Sequence, residues 1–283
     1  LLRWTAYGYV EFSNLSLVET NIIAPTGINF AIGAGWESRG TLQGNMDKCL
    51  KVIREAAHKG ADFILLPEVI LTWGVSGSSW DLALPIPGKE TDQIAKCAQT
   101  NNIGVGLTIN EANGKLVHNT GLIFDNQGNI VLRYRKIHLA VGERWDGITP
   151  GNHLPFIDLS WGRVGMQICY DNVHPEGVRS LAKNGAEVVL LPIMGDPRAT
   201  VPKNLKSNQF KWKHELWNMI MRMRALDNHV WYVISRNNGE GSCIVNPAGE
   251  IVASMKADEE LLFAKVDTSF RNPSWIGSNF HNR

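Results

Sequence analysis

The 283-residue chain has little that would tie it to a charged polymer or a bilayer. Its 28 basic and 27 acidic residues leave a formal net charge of +1, so no global field draws it to nucleic acid or an anionic lipid surface. No apolar run approaches the roughly 18 residues a membrane span needs, and the opening LLRWTAYGYV lacks the charged start and cleavage site of a signal peptide. Cysteine is scarce. Cys49, Cys97, Cys169 and Cys243 stand far apart without CxxC or metal-ligand spacing, which argues against a disulfide scaffold or a zinc site and for free thiols in a reducing, cytoplasmic compartment. His118, His138, His153 and His229 are scattered singly and read as structural rather than as ligands. The chain opens at Leu1 rather than Met, so it reads as trimmed or partial, and a removed leader stays open.

What is present is an alternation. Asn45 caps a helix expected over 46–59, with Met46, Leu50, Ile53 and Ala57 on one face and Gly60 as its stop; ADFILLPE then reads as a strand buried on both faces. The order returns with a helix over 91–100 before IGVGLTIN, and a helix over 175–184 before AEVVLLP. Helix, stop and buried strand in succession mark an α/β fold. TGLIFDNQGNIVLRYRK and GSCIVNPAGEIVAS each hold two strand-like runs around a glycine-bearing turn, so the sheets are mixed. A further helix is expected over 213–228, its apolar stripe formed by Leu216, Met219, Ile220, Met223 and Leu226. Residues 1–27 fall outside the alternation and read as an appended strand or the tail of an upstream β module, leaving 28–283 as the main domain.

Three positions carry chemistry. Cys169 ends the apolar run GRVGMQIC and precedes a helix beginning near Pro175, a strand–turn–helix order that projects the turn residue from the sheet's carboxyl edge beside free backbone N–H groups. A thiol of ordinary pKa, about 8.5, needs a base or a cation nearby to attack at neutral pH. Glu68 closes another buried strand, where a carboxylate is rare unless paired or functional. Lys136 lies in LRYRKIHL, whose alternation puts Arg133 and Arg135 on one face and Tyr134 and Lys136 on the other. Each has an ordinary reading too: a buried structural thiol, a surface carboxylate, a solvated basic strand.

Taken together, GADFILLPE, YRKIHL and GRVGMQICYDNVHPE in that order resemble the nitrilase superfamily of carbon–nitrogen hydrolases, and the likeness runs from Gly27 to Asp267. The resemblance implies an αββα sandwich of two mixed β-sheets flanked by helices, and a Glu–Lys–Cys triad of Glu68, Lys136 and Cys169. It implies a second glutamate, for which GERWDGITPG offers Glu143, and an oxyanion contact from the Tyr170 backbone N–H. It also implies a homodimer or larger homo-oligomer, and a thioester mechanism with no metal or organic cofactor.

The expected substrate is a small amide or N-carbamoyl compound, because Cys169 is followed by Tyr170-Asp171 rather than the Cys-Trp-Glu of many true nitrilases. A nitrile remains the alternative. Trp73, Trp80, Trp145 and Met194 follow motif strands and are candidates to wall the pocket. Arg198 leads a basic stretch, 197–213, suited to a carboxylated substrate. Two other classes compete: a cysteine peptidase using His174, which would not need Glu68, and a non-catalytic binding protein that retains the fold.

Overall fold

The computed structural model describes residues 13, 27–34, 39–194, 211–256 without 238 and 240, and 259–270. Two sheets lie face to face with helices outside each. In the first, β1 (Ile28–Gly33) pairs in parallel with β2 (Phe63–Leu65), and β2 with β4 (Gly104–Asn113). Then β4 pairs antiparallel with β5 (Leu116–Phe124), and β5 with β6 (Ile130–Arg135). β13 (Leu261–Val266) closes the far edge against β1, and β3 (Leu84–Pro85) adds to β4. Two antiparallel steps restore direction, so β6 runs the same way as β2 and their carboxyl ends share one edge. The second sheet has the order β12 (Ile251–Ser254), β11 (Cys243–Val245), β10 (Trp231–Arg236), β9 (Val188–Ile193), β8 (Gly162–Met166), β7 (Phe156–Leu159), with β8, β9 and β10 parallel.

Three apolar layers follow from this stacking. Phe30, Phe63, Ile123, Met166, Leu190 and Val233 fill the space between the sheets. Val52, Ile53, Ile94 and Leu107 join α1 (Leu42–His58) and α2 (Lys89–Thr100) to the first sheet; Val178, Leu181, Met221 and Ala225 join α4 (Pro175–Lys183) and α5 (Lys211–Asn228) to the second. Each fully buried aliphatic or aromatic side chain contributes about 1.5–3 kcal/mol. The layering is the expected αββα sandwich.

Two helix expectations are corrected. α1 starts earlier than Met46: Thr41 caps it, accepting from Gly44 N at 3.1 Å, and Asn45 lies inside the helix. Fully buried Asn45 instead donates Nδ2 to the carbonyls of Leu71 (3.0 Å) and Trp73 (2.9 Å), tying down the loop after Glu68. In α5 the face toward the sheet is Trp217, Met221 and Ala225, whereas Met219 and Met223 are 59% and 41% exposed. Met219 and Met223 sit two positions from Met221, about 200° round the helix, so both cannot share its face. Residues 1–27, apart from 13 and 27, lie outside the described residues, and the appended strand expected there lies outside them too.

Candidate active site

β2, β6, β8 and β9 deliver their carboxyl ends to one place. Glu68 follows β2, Lys136 follows β6 directly, and Cys169 begins a 3-10 turn (Cys169–Val173) just past β8. Pro175 then starts α4 at its first turn, as the sequence indicates. Cys169 has φ 47° and Val69, next to Glu68, has φ 42°. A left-handed backbone costs a non-glycine residue about 1–3 kcal/mol and persists only where surrounding structure enforces it. One corner is therefore the thiol residue singled out from the sequence, and the other adjoins Glu68.

Glu68 and Lys136 are buried and paired, Lys136 Nζ lying 2.8 Å from Glu68 Oε1. Glu143, on the short α3 (Val141–Trp145), brings Oε2 to 2.7 Å from the same Nζ and accepts the Ala140 N–H at 2.7 Å. Burial alone would lower the Lys136 pKa, but Glu68, Cys169 and Glu143 together hold it well above the ordinary lysine value. The ammonium is thus fixed as a cation. The Cys169 thiol is pushed far up by desolvation, then by the neighbouring charge of Glu68, with Lys136 acting the other way and Glu143 adding to the rise. Burial thus favours the neutral thiol, so a nucleophilic role for Cys169 calls for an acceptor of its proton.

Two further residues complete the cluster, and neither was singled out for a role. Asn119, buried on β5, donates Nδ2 to Glu68 Oε1 (2.7 Å) and to Glu143 Oε1 (2.8 Å), while its carbonyl accepts the Lys136 N–H at 2.9 Å. Asp171, with no exposed surface, accepts four hydrogen bonds: Tyr134 Oη at 2.7 Å, Ile168 N at 2.9 Å, and His138 N and Nδ1 at 2.8 and 2.9 Å. It buckles the Cys169 turn to the segment that carries Lys136. The available signal for Asn119 was His118-Asn119-Thr120, three consecutive polar residues inside a strand otherwise buried and apolar.

Among the remaining candidates, Met194 is brought to the cluster by its backbone, whose N–H donates to Glu68 Oε2 at 2.6 Å. Tyr170 follows Cys169 in the 3-10 turn. Trp73 packs against the helix-side core of the first sheet, and Trp145 stands 84% exposed at the end of α3. Trp80 donates Nε1 to the Asp146 carbonyl at 3.1 Å, pinning the loop behind α3. Arg198 lies outside the described residues. The His174 ring stacks on His138 at 3.8 Å between centroids, an arrangement that spends it on packing. All four cysteines are free, and no group of three or more His, Cys, Asp or Glu among the described residues is arranged to hold a metal. Nor is any described helix long and apolar enough to cross a membrane.

Two stacked mixed sheets thus gather a thiol, a carboxylate and a fixed ammonium at their shared edge, the set of groups that nucleophilic catalysis by a cysteine calls for. The chain belongs to the carbon–nitrogen hydrolase family, whose model matches residues 20–272. It is similar to the Xenopus laevis protein Omega-amidase NIT2-A, 28% identical over 245 residues that cover 80% of this chain and 84% of that one. The human Omega-amidase NIT2 is 26% identical over 241 residues, covering 79% and 83%. Among solved structures, a carbon–nitrogen hydrolase from Helicobacter pylori G27 superposes with TM-score 0.76 at 22% identity, covering 86% of this chain and 90% of that one. An amidase from Nesterenkonia sp. superposes with TM-score 0.71 at 19% identity, covering 85% and 90%.

Proposed function

We propose that the protein hydrolyses an amide carbon–nitrogen bond through a thioester on Cys169, with Glu68 as general base and acid and Lys136 as the electrostatic partner. The observation that carries this is the buried Glu68–Lys136 pair at 2.8 Å, close enough to a thiol on a left-handed turn for both charges to act on it. Glu68 takes the thiol proton as the sulfur–carbon bond forms. Lys136 Nζ and the Tyr170 N–H face the negative oxygen of the tetrahedral species, a contribution that typically amounts to about 10²–10³ in turnover per donor. Glu68 then returns the proton to the nitrogen, the carbon–nitrogen bond breaks, and ammonia or an amine leaves. Water attacks the thioester, Glu68 accepts its proton, and the acid departs as Cys169 regains its hydrogen. A cation held this firmly cannot serve as the proton acceptor, which leaves that work to Glu68.

An amide is favoured over a nitrile by Cys169-Tyr170-Asp171, and the ω-amide class named in the vertebrate relatives is the first to try. Ammonia release is measured across amides, N-carbamoyl compounds and nitriles. Turnover of an amide that vanishes in both Cys169→Ala and Glu68→Gln is the expected result. Full activity in Glu68→Gln would transfer the reaction to another base, and a preference for nitriles would overturn the substrate class. A homo-oligomer belongs to the same reading, supported by the exposed Met219 and Met223 on α5, and sedimentation at two concentrations tests it.

A further inference from the structure

Asn119 closes a ring of hydrogen bonds around the two carboxylates. Lys136 Nζ binds Glu68 Oε1 at 2.8 Å and Glu143 Oε2 at 2.7 Å; Asn119 Nδ2 binds the same Glu68 Oε1 at 2.7 Å and the other oxygen of Glu143 at 2.8 Å. An ionised carboxylate can only accept, so the amide must present its NH2 end to both, one hydrogen to each. Its Oδ1 is left buried with no hydrogen-bond partner among the described residues. An orphaned buried acceptor is unfavourable, and in native structures such groups call for an explanation. Here the gain is on the opposite end of the amide, at the carboxylates.

The ring divides the labour between the two oxygens of Glu68. Among the described residues, Oε1 accepts from both Lys136 and Asn119, whereas Oε2 accepts the Met194 N–H alone, at 2.6 Å. We propose that Asn119 is a positioning residue that yokes Glu143 to Glu68 and saturates Glu68 Oε1, so that Oε2 is the atom that takes the Cys169 proton. The inference rests on the thioester reading above, since it concerns the base in that reaction. Without the amide, Oε1 keeps the ammonium it shares with Glu143, Glu143 Oε1 loses its Asn119 contact, and the Glu68 carboxylate is free to turn Oε2 away from the thiol.

The test uses the full chain and iodoacetamide, a small amide that alkylates thiols, with the rate at each cysteine read by mass spectrometry across pH 5–9. Asn119→Leu removes the donors at similar volume; Asn119→Asp keeps the shape and replaces both donors with an acceptor beside two carboxylates. Alkylation of Cys169 is expected to slow about 10-fold or more in Asn119→Leu and further in Asn119→Asp, with the acid limb of the rate profile displaced upward by about one pH unit, the size of one lost bond to a charged group. For the best amide substrate, kcat falls while KM stays within about threefold, the mark of a group that acts on the reacting atoms through another. A shape-filling role gives the reverse order, the isosteric Asn119→Asp being the milder change. Unaltered Cys169 rates and pH profile in either folded variant would overturn the proposal and leave the thioester reading standing. If Cys169 of the unaltered protein reacts no faster than Cys49, Cys97 and Cys243, it is the thioester reading that falls, and the positioning role with it.

Discussion

Asp171→Asn tests whether the turn that carries the thiol is held from the first sheet's side. The carboxylate accepts four donors within 2.7–2.9 Å and has no exposed surface. The amide is the same size but turns one oxygen into a donor. Tyr134 Oη and His138 Nδ1 can adjust, by rotating the hydroxyl or changing tautomer; the backbone N–H groups of Ile168 and His138 cannot. Whichever way the amide is seated, one of those two loses its acceptor. A buried N–H left unpaired costs about 1–3 kcal/mol, and the surviving bonds lose the roughly twofold strength that charge gives them. The expected destabilisation is about 3–5 kcal/mol, which for a domain of this size lowers Tm by roughly 10 °C. Differential scanning fluorimetry reads that shift, and the rate of Cys169 alkylation reads the turn itself. Because Asp171 joins Ile168, just before the thiol, to Tyr134 and His138 on either side of Lys136, the reactivity is expected to fall more steeply than the stability. A variant that melts within about 2 °C of the parent and alkylates at the same rate would show that the turn is held by something other than this carboxylate.

Glu111 offers a pH-dependent counterpart. Its side chain is buried against Arg133, Arg135 and Thr120; desolvation opposes its charge, but those hydrogen bonds and the Arg133 charge prevail, drawing its pKa from 4.5 to about 2. A lowered folded-state value means that the stability is present in full above pH 4.5 and is lost as pH falls through about 2. Discounted for the part-exposed guanidiniums, the loss across that window is about 2–3 kcal/mol, and urea titrations of Glu111→Gln are expected to be flatter there than those of the parent. Gly151 donates its N–H to the Lys136 carbonyl at 2.8 Å, and a Cβ at this position would run into the Arg135 carbonyl oxygen and side chain. Gly151→Ala is therefore expected to cost about 1–3 kcal/mol and to lower kcat by displacing the backbone of Lys136, seen in thermal melts and in ammonia release. No change in either would remove Gly151 from the support of the lysine.

The residues legible in the sequence were those at which one-dimensional pattern and chemistry disagree. Glu68 ends a run of apolar residues, Cys169 ends another before a proline-started helix, and Lys136 shares a strand face with Tyr134; each is anomalous where it stands, and motif order joined them. The α/β alternation and both hairpins were readable for the same reason, since glycine and proline stops divide runs of distinct period. What stayed hidden depends on contacts across the sheets. Asn119 is polar within β5, and only the pairing of β5 with β6 and the approach of Glu68 and Glu143 reveal what its amide does. Asp171 sits beside the thiol in sequence, yet three of its four donors belong to Tyr134 and His138, more than thirty positions away. The phase of α5 was misread because methionine is apolar wherever it lies, and pattern alone cannot distinguish a buried Met221 from an exposed Met219.

The two left-handed corners give this distribution a physical logic. Val69 and Cys169 follow strands of different sheets, and each turns the chain sharply after a buried strand has ended. Each corner also has a clamp close by. The Val69 N–H donates to Thr108 Oγ1 at 2.6 Å, and Asn45 holds the carbonyls of Leu71 and Trp73; Asp171 takes the Ile168 N–H ahead of the thiol. A strained φ of this kind holds only while such contacts outweigh it. The site's chemistry therefore depends on residues that touch no reacting atom. Thr108→Val removes the hydroxyl at nearly constant volume, leaves the Val69 N–H without that acceptor, and is expected to cost about 1–3 kcal/mol. The same change is expected to slow Cys169 alkylation although Thr108 lies on β4 and Cys169 in the turn that follows β8 of the opposite sheet, because the corner it releases is the one that aims Glu68. A melt lowered with no change in that rate would confine Thr108 to stability and detach the Val69 corner from the base.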